Sequence, residues 1–127
     1  MKKYSKKGLE KRKAERECLP EFFKKHIEIA KTKCCANCGC TLLSDVSEVA
    51  HRLPKSTFKS IQCDDNNVTY LCSWKSTNNC HSKYDGTNEQ LQSLSIFAEE
   101  KLKVEELLEK VTEKYNWKLL DRWKLGQ

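Results

Sequence analysis

The chain has 127 residues, of which 38% are hydrophobic and 33% are charged, and its mean hydropathy is -0.77. This size predicts one domain, or one small module with helical extensions. No run of about 18 apolar residues occurs, so the sequence predicts no membrane span, and no apolar segment follows the basic first residues, so it predicts no secretory signal. We therefore expect a cytoplasmic protein whose eight cysteines bind metal rather than form a disulfide framework.

The positive charge is concentrated at the N-terminus. Residues 1–33 contain 12 Lys and Arg against 5 Glu, whereas residues 34–87 and 88–127 are close to neutral. Such a segment favours a polyanionic partner, because each Lys or Arg placed on a phosphate releases a counterion. A solvated tail that only aids solubility has the same composition. The side chains expected to contact nucleic acid here are Lys2, Lys3, Lys6, Lys7, Lys11, Arg12, Lys13 and Arg16.

The first segment, residues 1–33, is predicted to be a basic helical arm. Residues 2–17 carry no apolar stripe, which is typical of a mobile or weakly helical segment. A better helix follows, because Pro20 fits a first helical position and apolar residues then recur at helical spacing. We expect this helix to pack on the rest of the protein, with His26 as a core or boundary residue rather than a ligand.

The second segment, residues 34–87, changes to a cysteine-rich pattern with short β-prone stretches. Residues 41–43, the region from Val46 to His51 and residues 68–72 are predicted as short strands, and residues 54–66 as a loop. His81 to Asp85 is predicted to open a helical turn that Gly86 stops.

The third segment, residues 88–127, is predicted to be one long helix that begins at a Thr87–Gln90 capping box. Apolar residues from Leu91 to Tyr115 trace one face of it, which favours packing within the chain over a dimer seam. Trp117 and Trp123 are expected to close the small core. The sequence leaves open whether the protein is a monomer or a dimer.

Two groups of cysteines predict one tetrahedral metal site. Cys35 and Cys38 are separated by two residues and followed by Gly39, a turn that points both sulfurs at one zinc ion. The second pair is predicted to be Cys72 and Cys80, although their spacing is longer than usual, which leaves Cys63 as a possible substitute for either. Cys34 and Cys40 lie too close to their neighbours to chelate comfortably and are predicted to be spare.

The motif order from Cys35 to Asp85 resembles that of the zinc-stapled HNH endonucleases. It runs C-x2-C-G, then A-H-x-x-P around His51, then N-x-x-x-L-C around Asn67, then C-H at Cys80 and His81. The resemblance implies an α+β protein in which a ββα-metal module, stapled by structural Zn²⁺, lies between the basic arm and the C-terminal helix. It also implies DNA as the partner, with hydrolysis of phosphodiester bonds as the activity and a phage or mobile element as the source.

The family's functional positions fall on three residues. The resemblance implies that His51 is the general base, that Asn67 fixes the loop and orients His51, and that His81 helps to hold a catalytic Mg²⁺ or Mn²⁺. Asp85 lies four residues after His81, so on a helical turn both side chains point the same way, and Asp85 is a second candidate ligand. Arg52 and Lys55 are added to the predicted nucleic-acid contacts.

One departure leaves other functions open. The position before the base is usually a metal-binding Asp or His, but here it is Ala50, so Glu48, Asp85 or the substrate phosphate would have to compensate. The alternatives are a non-catalytic zinc module that binds nucleic acid, or an adaptor whose C-terminal helix recruits a protein partner. In either case His51 and His81 would be ordinary polar residues, or His81 would bind zinc.

Overall fold

The computed structural model describes residues 17–114 and 117–125 of the chain. Over these residues the elements are, in order, α1 (Leu19–Ala30), β1 (Val49–His51), β2 (Val68–Tyr70), α2 (Cys80–Tyr84), α3 (Asn88–Gln92), α4 (Phe97–Leu108) and α5 (Trp117–Trp123). The protein is therefore of the α+β class, as predicted. None of the helices in these two ranges has the length and apolar character that crossing a bilayer requires.

The sheet consists of β1 and β2 in antiparallel register, with Val49 opposite Tyr70 and His51 opposite Val68. A single turn of 3₁₀-helix precedes each strand, at Val46–Glu48 and at Asp65–Asn67. An aspartate caps each turn, since Asp45 accepts from the Ser47 amide and Asp64 from the Asn66 amide. These caps place His51 and Asn67 at neighbouring ends of the two strands. The stretch predicted as a strand at residues 41–43 forms only an isolated bridge, between Cys34 and Thr41.

Helix α1 packs on one face of the sheet. It begins at Leu19 with Pro20 in its first turn, as the sequence predicts. Phe22 is buried against Val49 and Val68 in a small second core. His26 is buried on the same face, with Nδ1 2.8 Å from the Tyr70 hydroxyl and Nε2 2.9 Å from Asp65, so it is the core histidine that was expected.

The C-terminal third is not one long helix but three, α3, α4 and α5. The predicted capping box is present at the start of α3, with Thr87 and Gln90 exchanging hydrogen bonds. The chain turns between α3 and α4, and α5 folds back so that Gln92 donates to backbone carbonyls of α5 and Trp123 stacks on Phe97. A straight helix could not bring Leu91, Val104 and Trp123 into one core, whereas these turns do.

Two of the predicted features of this region lie outside the described residues. They are Tyr115 and the side chain of Trp117. Trp123, by contrast, is buried in the main core beneath Tyr84, as expected for a residue that closes a small core.

Candidate metal centre and active site

Four thiols converge on one point. The sulfur atoms of Cys35, Cys38, Cys40 and Cys72 all lie within 4.8 Å of one another. The Cys38 and Cys72 sulfurs are 3.7 Å apart, close to the ~3.8 Å edge of a tetrahedron whose four thiolates lie about 2.3 Å from zinc. The described residues therefore contain a thiol cluster that could hold a metal ion such as zinc.

A tight turn delivers three of these thiols. The Cys35 amide donates to the Cys40 carbonyl, and the Gly39 amide donates back to the Cys35 carbonyl. Gly39 has a φ of 77°, a conformation that glycine adopts without a side-chain penalty. The Ala36 amide donates to the Tyr70 carbonyl, which docks the turn on β2 just before Cys72. Strand β2 thus brings the fourth thiol to the turn.

The cluster differs from the predicted ligand set at two positions. Cys40 was predicted to be spare, and the closed turn brings its sulfur into the cluster. Cys80 was predicted to be a ligand, and it lies beside the cluster, buried at the start of α2, with its thiol in contact with the thiols of Cys72 and Cys35. Its amide donates to the Cys72 sulfur, and its own sulfur accepts from Asn37. Cys34 is exposed and stays outside, as expected.

Neighbouring thiols in the cluster have very different acidities. Burial acts to raise the pKa of Cys38, but hydrogen bonds from Asn78 and from the Cys40 backbone outweigh it and lower that pKa to about 6. Burial raises the pKa of Cys40, and also that of Cys80, to about 12. Metal binding would displace the remaining thiol protons, so the affinity of the cluster for metal should rise with pH.

Cys63 cannot substitute as a ligand, because it forms a disulfide with Cys18. The expectation of metal binding rather than disulfide formation therefore does not hold for this pair. The bond joins the start of α1 to the loop between the strands. It lies next to Gln62, which contacts the candidate base.

His51 stands at the end of β1 in a half-buried position. Its Nε2 donates to the Gln62 carbonyl at 2.8 Å, and the rings of Phe22 and Phe23 pack against it. With the proton on Nε2, Nδ1 is left as an acceptor that no group among the described residues occupies. Burial lowers the pKa of His51, and the charge of Lys55 lowers it further. The imidazole is therefore neutral near pH 7, as a general base must be.

Asn67 fixes the loop after β1, but not by binding His51. Its side chain is fully buried, with Oδ1 accepting from the Leu53 amide at 2.8 Å and Nδ2 donating to the carbonyls of Leu53 and Ile61. No hydrogen bond joins Asn67 to His51 among the described contacts, and the Gln62 carbonyl orients His51 instead. A backbone carbonyl leaves no trace in side-chain identity, so no pattern in the sequence could have identified this contact.

His81 and Asp85 form a pair. His81 lies in the first turn of α2, and Asp85 is the residue that follows the helix. His81 Nδ1 hydrogen-bonds the Ser47 carbonyl, which leaves Nε2 2.9 Å from an oxygen of Asp85. The carboxylate raises the pKa of His81 above its ordinary value. Side-chain exposure is 22% for His81 and 64% for Asp85, so a cation from solvent could reach both.

Asp85 lines both the cavity that contains His51 and the cavity that contains His81. A cavity of about 400 Å³, here called the His51 cavity, is lined by His51 and Asp85 among others. A neighbouring cavity of about 250 Å³ is lined by His81, Asp85 and Trp74. The structure therefore brings the two predicted histidines to adjoining cavities that share one carboxylate, rather than to a single one.

Of the two carboxylates named to compensate for Ala50, Glu48 is buried and Asp85 is exposed. Ala50 is fully buried in the main core. Glu48 is buried as well, and its carboxylate accepts from the Leu43 and Asp45 amides, so it caps a turn and is not available to a metal. Asp85 is the carboxylate that stays accessible.

The predicted nucleic-acid contacts divide into three groups. Those between Lys2 and Arg16 lie outside the described residues. Arg52 lines the His51 cavity, and its buried guanidinium pairs with Glu100 at 2.6 Å and donates to the Asn66 carbonyl. Lys55 is exposed at the His51 cavity, with its ammonium 5.0 Å from the Phe23 ring centre.

Comparisons of the chain with protein-family models, curated proteins and solved structures gave no match.

Proposed function

We propose that this protein is a metal-dependent DNA endonuclease of the HNH type, built on a ββα-metal module. The observation that carries the proposal is the placement of His51, a neutral imidazole with one nitrogen bound to a carbonyl and the other free, in the same cavity as Asp85. The order β1, β2, α2 and the positions of His51, Asn67 and His81 on it agree with the resemblance from which the proposal starts.

In this proposal, His51 accepts the proton of a water molecule that attacks the scissile phosphorus. The bond from phosphorus to the leaving oxygen breaks, and that oxygen departs as an alkoxide that takes up a proton from solvent. The Nε2–H bond of His51 to the Gln62 carbonyl fixes the tautomer and stabilises the imidazolium that forms. Asn67 holds the loop that contains Leu53 and so keeps the end of β1 in place.

The proposal involves two metal sites, a structural site in the thiol cluster and a catalytic site at His81 and Asp85. The thiol cluster would hold a structural Zn²⁺, which fits soft thiolate donors. His81 Nε2 and the Asp85 carboxylate suit a hard divalent cation, since two ligands about 2.1 Å from one ion in adjacent positions stand about 3 Å apart, and these atoms are 2.9 Å apart. Such a cation would offset the charge that develops on the phosphate.

A nicking assay tests the endonuclease proposal. Supercoiled plasmid is incubated with the purified protein and Mg²⁺ or Mn²⁺, and wild type is compared with His51→Ala. Loss of the general base should slow nicking by at least about 100-fold. Asn66→Ala is a control, because that side chain is exposed and forms no hydrogen bond to other described residues. A wild type that cuts nothing, or a His51→Ala variant that cuts equally well, would exclude the proposal.

A non-catalytic nucleic-acid-binding module is the second candidate. The observation in its favour is that Ala50 is buried and Glu48 is committed to a cap, which leaves Asp85 alone as an accessible carboxylate beside His81. DNA binding that is salt-dependent, survives His51→Ala and weakens on deletion of residues 1–16, without any nicking, would support this candidate. Indifference to DNA at low salt would favour the protein-recruiting adaptor instead.

A further inference from the structure

Two adjoining cavities follow the face of α5. The His51 cavity is one, and a second of about 350 Å³ includes Lys114 and Lys118 in its lining. Both are lined by Pro54, Leu119 and Arg122, so they share a wall. We call the pair the α5 groove. It runs from His51 at one end to the two lysines at the other.

The α5 groove is lined by five cations, of which four lack an acidic partner among the described residues. Lys55, Lys114, Lys118 and Arg122 form no salt bridge with a described residue, whereas Arg52 is paired with Glu100. Asp85 is the one carboxylate in its lining among the residues that the structure describes. Glu113, the neighbour of Lys114, is directed to the Ser60 amide and hydroxyl instead. The net charge of residues 88–127 does not indicate this positive surface, because basic and acidic residues nearly cancel over the whole segment.

The wall of the groove is held in place by contacts that leave the positive charge of Arg122 without a neutralising carboxylate. The Arg122 guanidinium donates to the carbonyls of Gly86 and Tyr84, which are neutral acceptors. Gln92 ties α3 to the α5 backbone, and Trp123 stacks on Phe97. Lys118 and Arg122 lie four residues apart, on one face of the helix and about 6 Å apart along its axis.

We propose that the α5 groove binds the phosphodiester backbone of a nucleic-acid strand and leads that strand to His51. The inference rests on the proposed function in one respect, that the ligand is nucleic acid. Lysine and arginine are the usual partners of phosphate oxygens, and contacts of this kind position a strand without reading its sequence. The groove gives the C-terminal helix a role in substrate binding.

Binding measured without hydrolysis tests the groove. Fluorescence anisotropy of a labelled 20-nucleotide single strand, and of the matching duplex, is recorded in EDTA-free buffer without Mg²⁺ or Mn²⁺ over a range of NaCl concentrations. The Lys114→Gln/Lys118→Gln variant should bind about tenfold or more weakly near 0.1 M salt. The slope of log K against log salt should fall by about 1.8 for duplex and about 1.4 for single strand, as the loss of two phosphate contacts requires.

The control is Lys24→Gln/Lys33→Gln, which removes the same charge from exposed positions outside the groove. It should change affinity less than threefold. An unchanged slope in the groove variant, or an equal loss in the control, would overturn the proposal. Circular dichroism of both variants confirms that each is folded.

Two further arms separate the possible ligands and the two proposals. If inorganic phosphate at millimolar concentration displaces the labelled strand completely, the groove is a small-anion site and not a strand-binding surface. If His51→Ala abolishes nicking while the groove variant binds normally, the endonuclease proposal stands and the groove proposal fails. If nothing is nicked but the groove variant loses affinity, the reverse holds.

Discussion

The two histidines of the candidate site have opposite electrostatic surroundings. His51 packs against Phe22 and Phe23 and lies near the ammonium of Lys55, so burial and a like charge disfavour its protonated form. His81 faces the Asp85 carboxylate, which favours its protonated form. One imidazole is thus suited to accept a proton near neutral pH, and the other to pair with a charge.

This difference predicts a split titration. In the metal-free catalytic site, His51 should titrate below the ordinary value of 6.5 and His81 above it. NMR of the imidazole Cε1 protons against pH checks this, with His51→Ala and His81→Ala assigning the signals. The His51 contribution to stability should be present above pH 6.5 and be lost as the pH falls below it, because the unfolded chain then binds the proton first. Equal titration midpoints would contradict the assignment.

Asn67 is the residue whose removal should cost the most among the three family positions. Replacing it with Ala leaves the Leu53 amide and two carbonyls buried without partners. We expect the free energy of unfolding to fall by about 2–4 kcal/mol, measured by urea denaturation with zinc present. The exposed neighbour Asn66 is a matched control, and Asn66→Ala should change stability by less than about 0.5 kcal/mol.

At the scale of elements, α1 forms part of the surroundings of the candidate base. Its phenylalanines cover His51, and the Cys18–Cys63 disulfide joins its start to the loop that contains Gln62. The core beneath α1 is small, with Phe22, Val49 and Val68 at its centre. A covalent link across 45 residues of sequence therefore matters more here than in a large core.

Loss of this disulfide should destabilise the protein. Cross-linking restricts the unfolded chain, and for a loop of this length we expect Cys18→Ser/Cys63→Ser to lower the free energy of unfolding by about 3–5 kcal/mol. Urea denaturation under non-reducing conditions measures the change. Cys34→Ser serves as the control, because Cys34 is exposed and neither disulfide-bonded nor part of the thiol cluster. An equally stable double variant would show that the packing of α1 alone holds the helix.

At the scale of the whole molecule, the thiol cluster lies where the separate parts meet. The turn of Cys35 to Cys40 docks on β2, and Ser95, at the turn before α4, donates to the carbonyl of Asn37. A metal ion at this point would therefore link the sheet to the C-terminal helices. In a chain with so modest a core, such a link contributes directly to folding.

Removal of the metal should therefore unfold much of the protein. Chelation of zinc is expected to lower the melting temperature by at least about 10 °C, because the binding free energy of a structural zinc ion is part of the folding free energy. Thermal circular dichroism with and without chelator measures the shift. Cys72→Ser should lower the melting temperature similarly even with zinc present, while Cys34→Ser should not. A chelator-insensitive melting temperature would show that the thiols do not hold a structural ion.

Much of the local structure could be predicted from the sequence because its causes are local. Pro20 marks the first turn of α1, Thr87 and Gln90 form their capping box, and the C-x2-C-G turn follows from residues within a few positions of each other. The α+β class and a thiol cluster able to hold metal follow from the same signals. The burial of His26 also agrees with its predicted position on the apolar face of α1.

Contacts between distant residues decided the rest. Arg52 is a charged residue of the kind usually found at the surface. It is buried here because it pairs with Glu100, 48 residues away in the sequence. Cys40 belongs to the thiol cluster because the folded turn brings it close to Cys72. Cys63 is not available as a ligand because it is bonded to Cys18, and spacing rules identify neither partner. The fold-back of α5, which builds the groove beside His51, is held by Trp123 stacking on Phe97 and by Gln92 bonding to the α5 backbone. Propensity and spacing act over a few residues, whereas these placements are set by which side chains can be buried together, and that is a property of the folded chain alone.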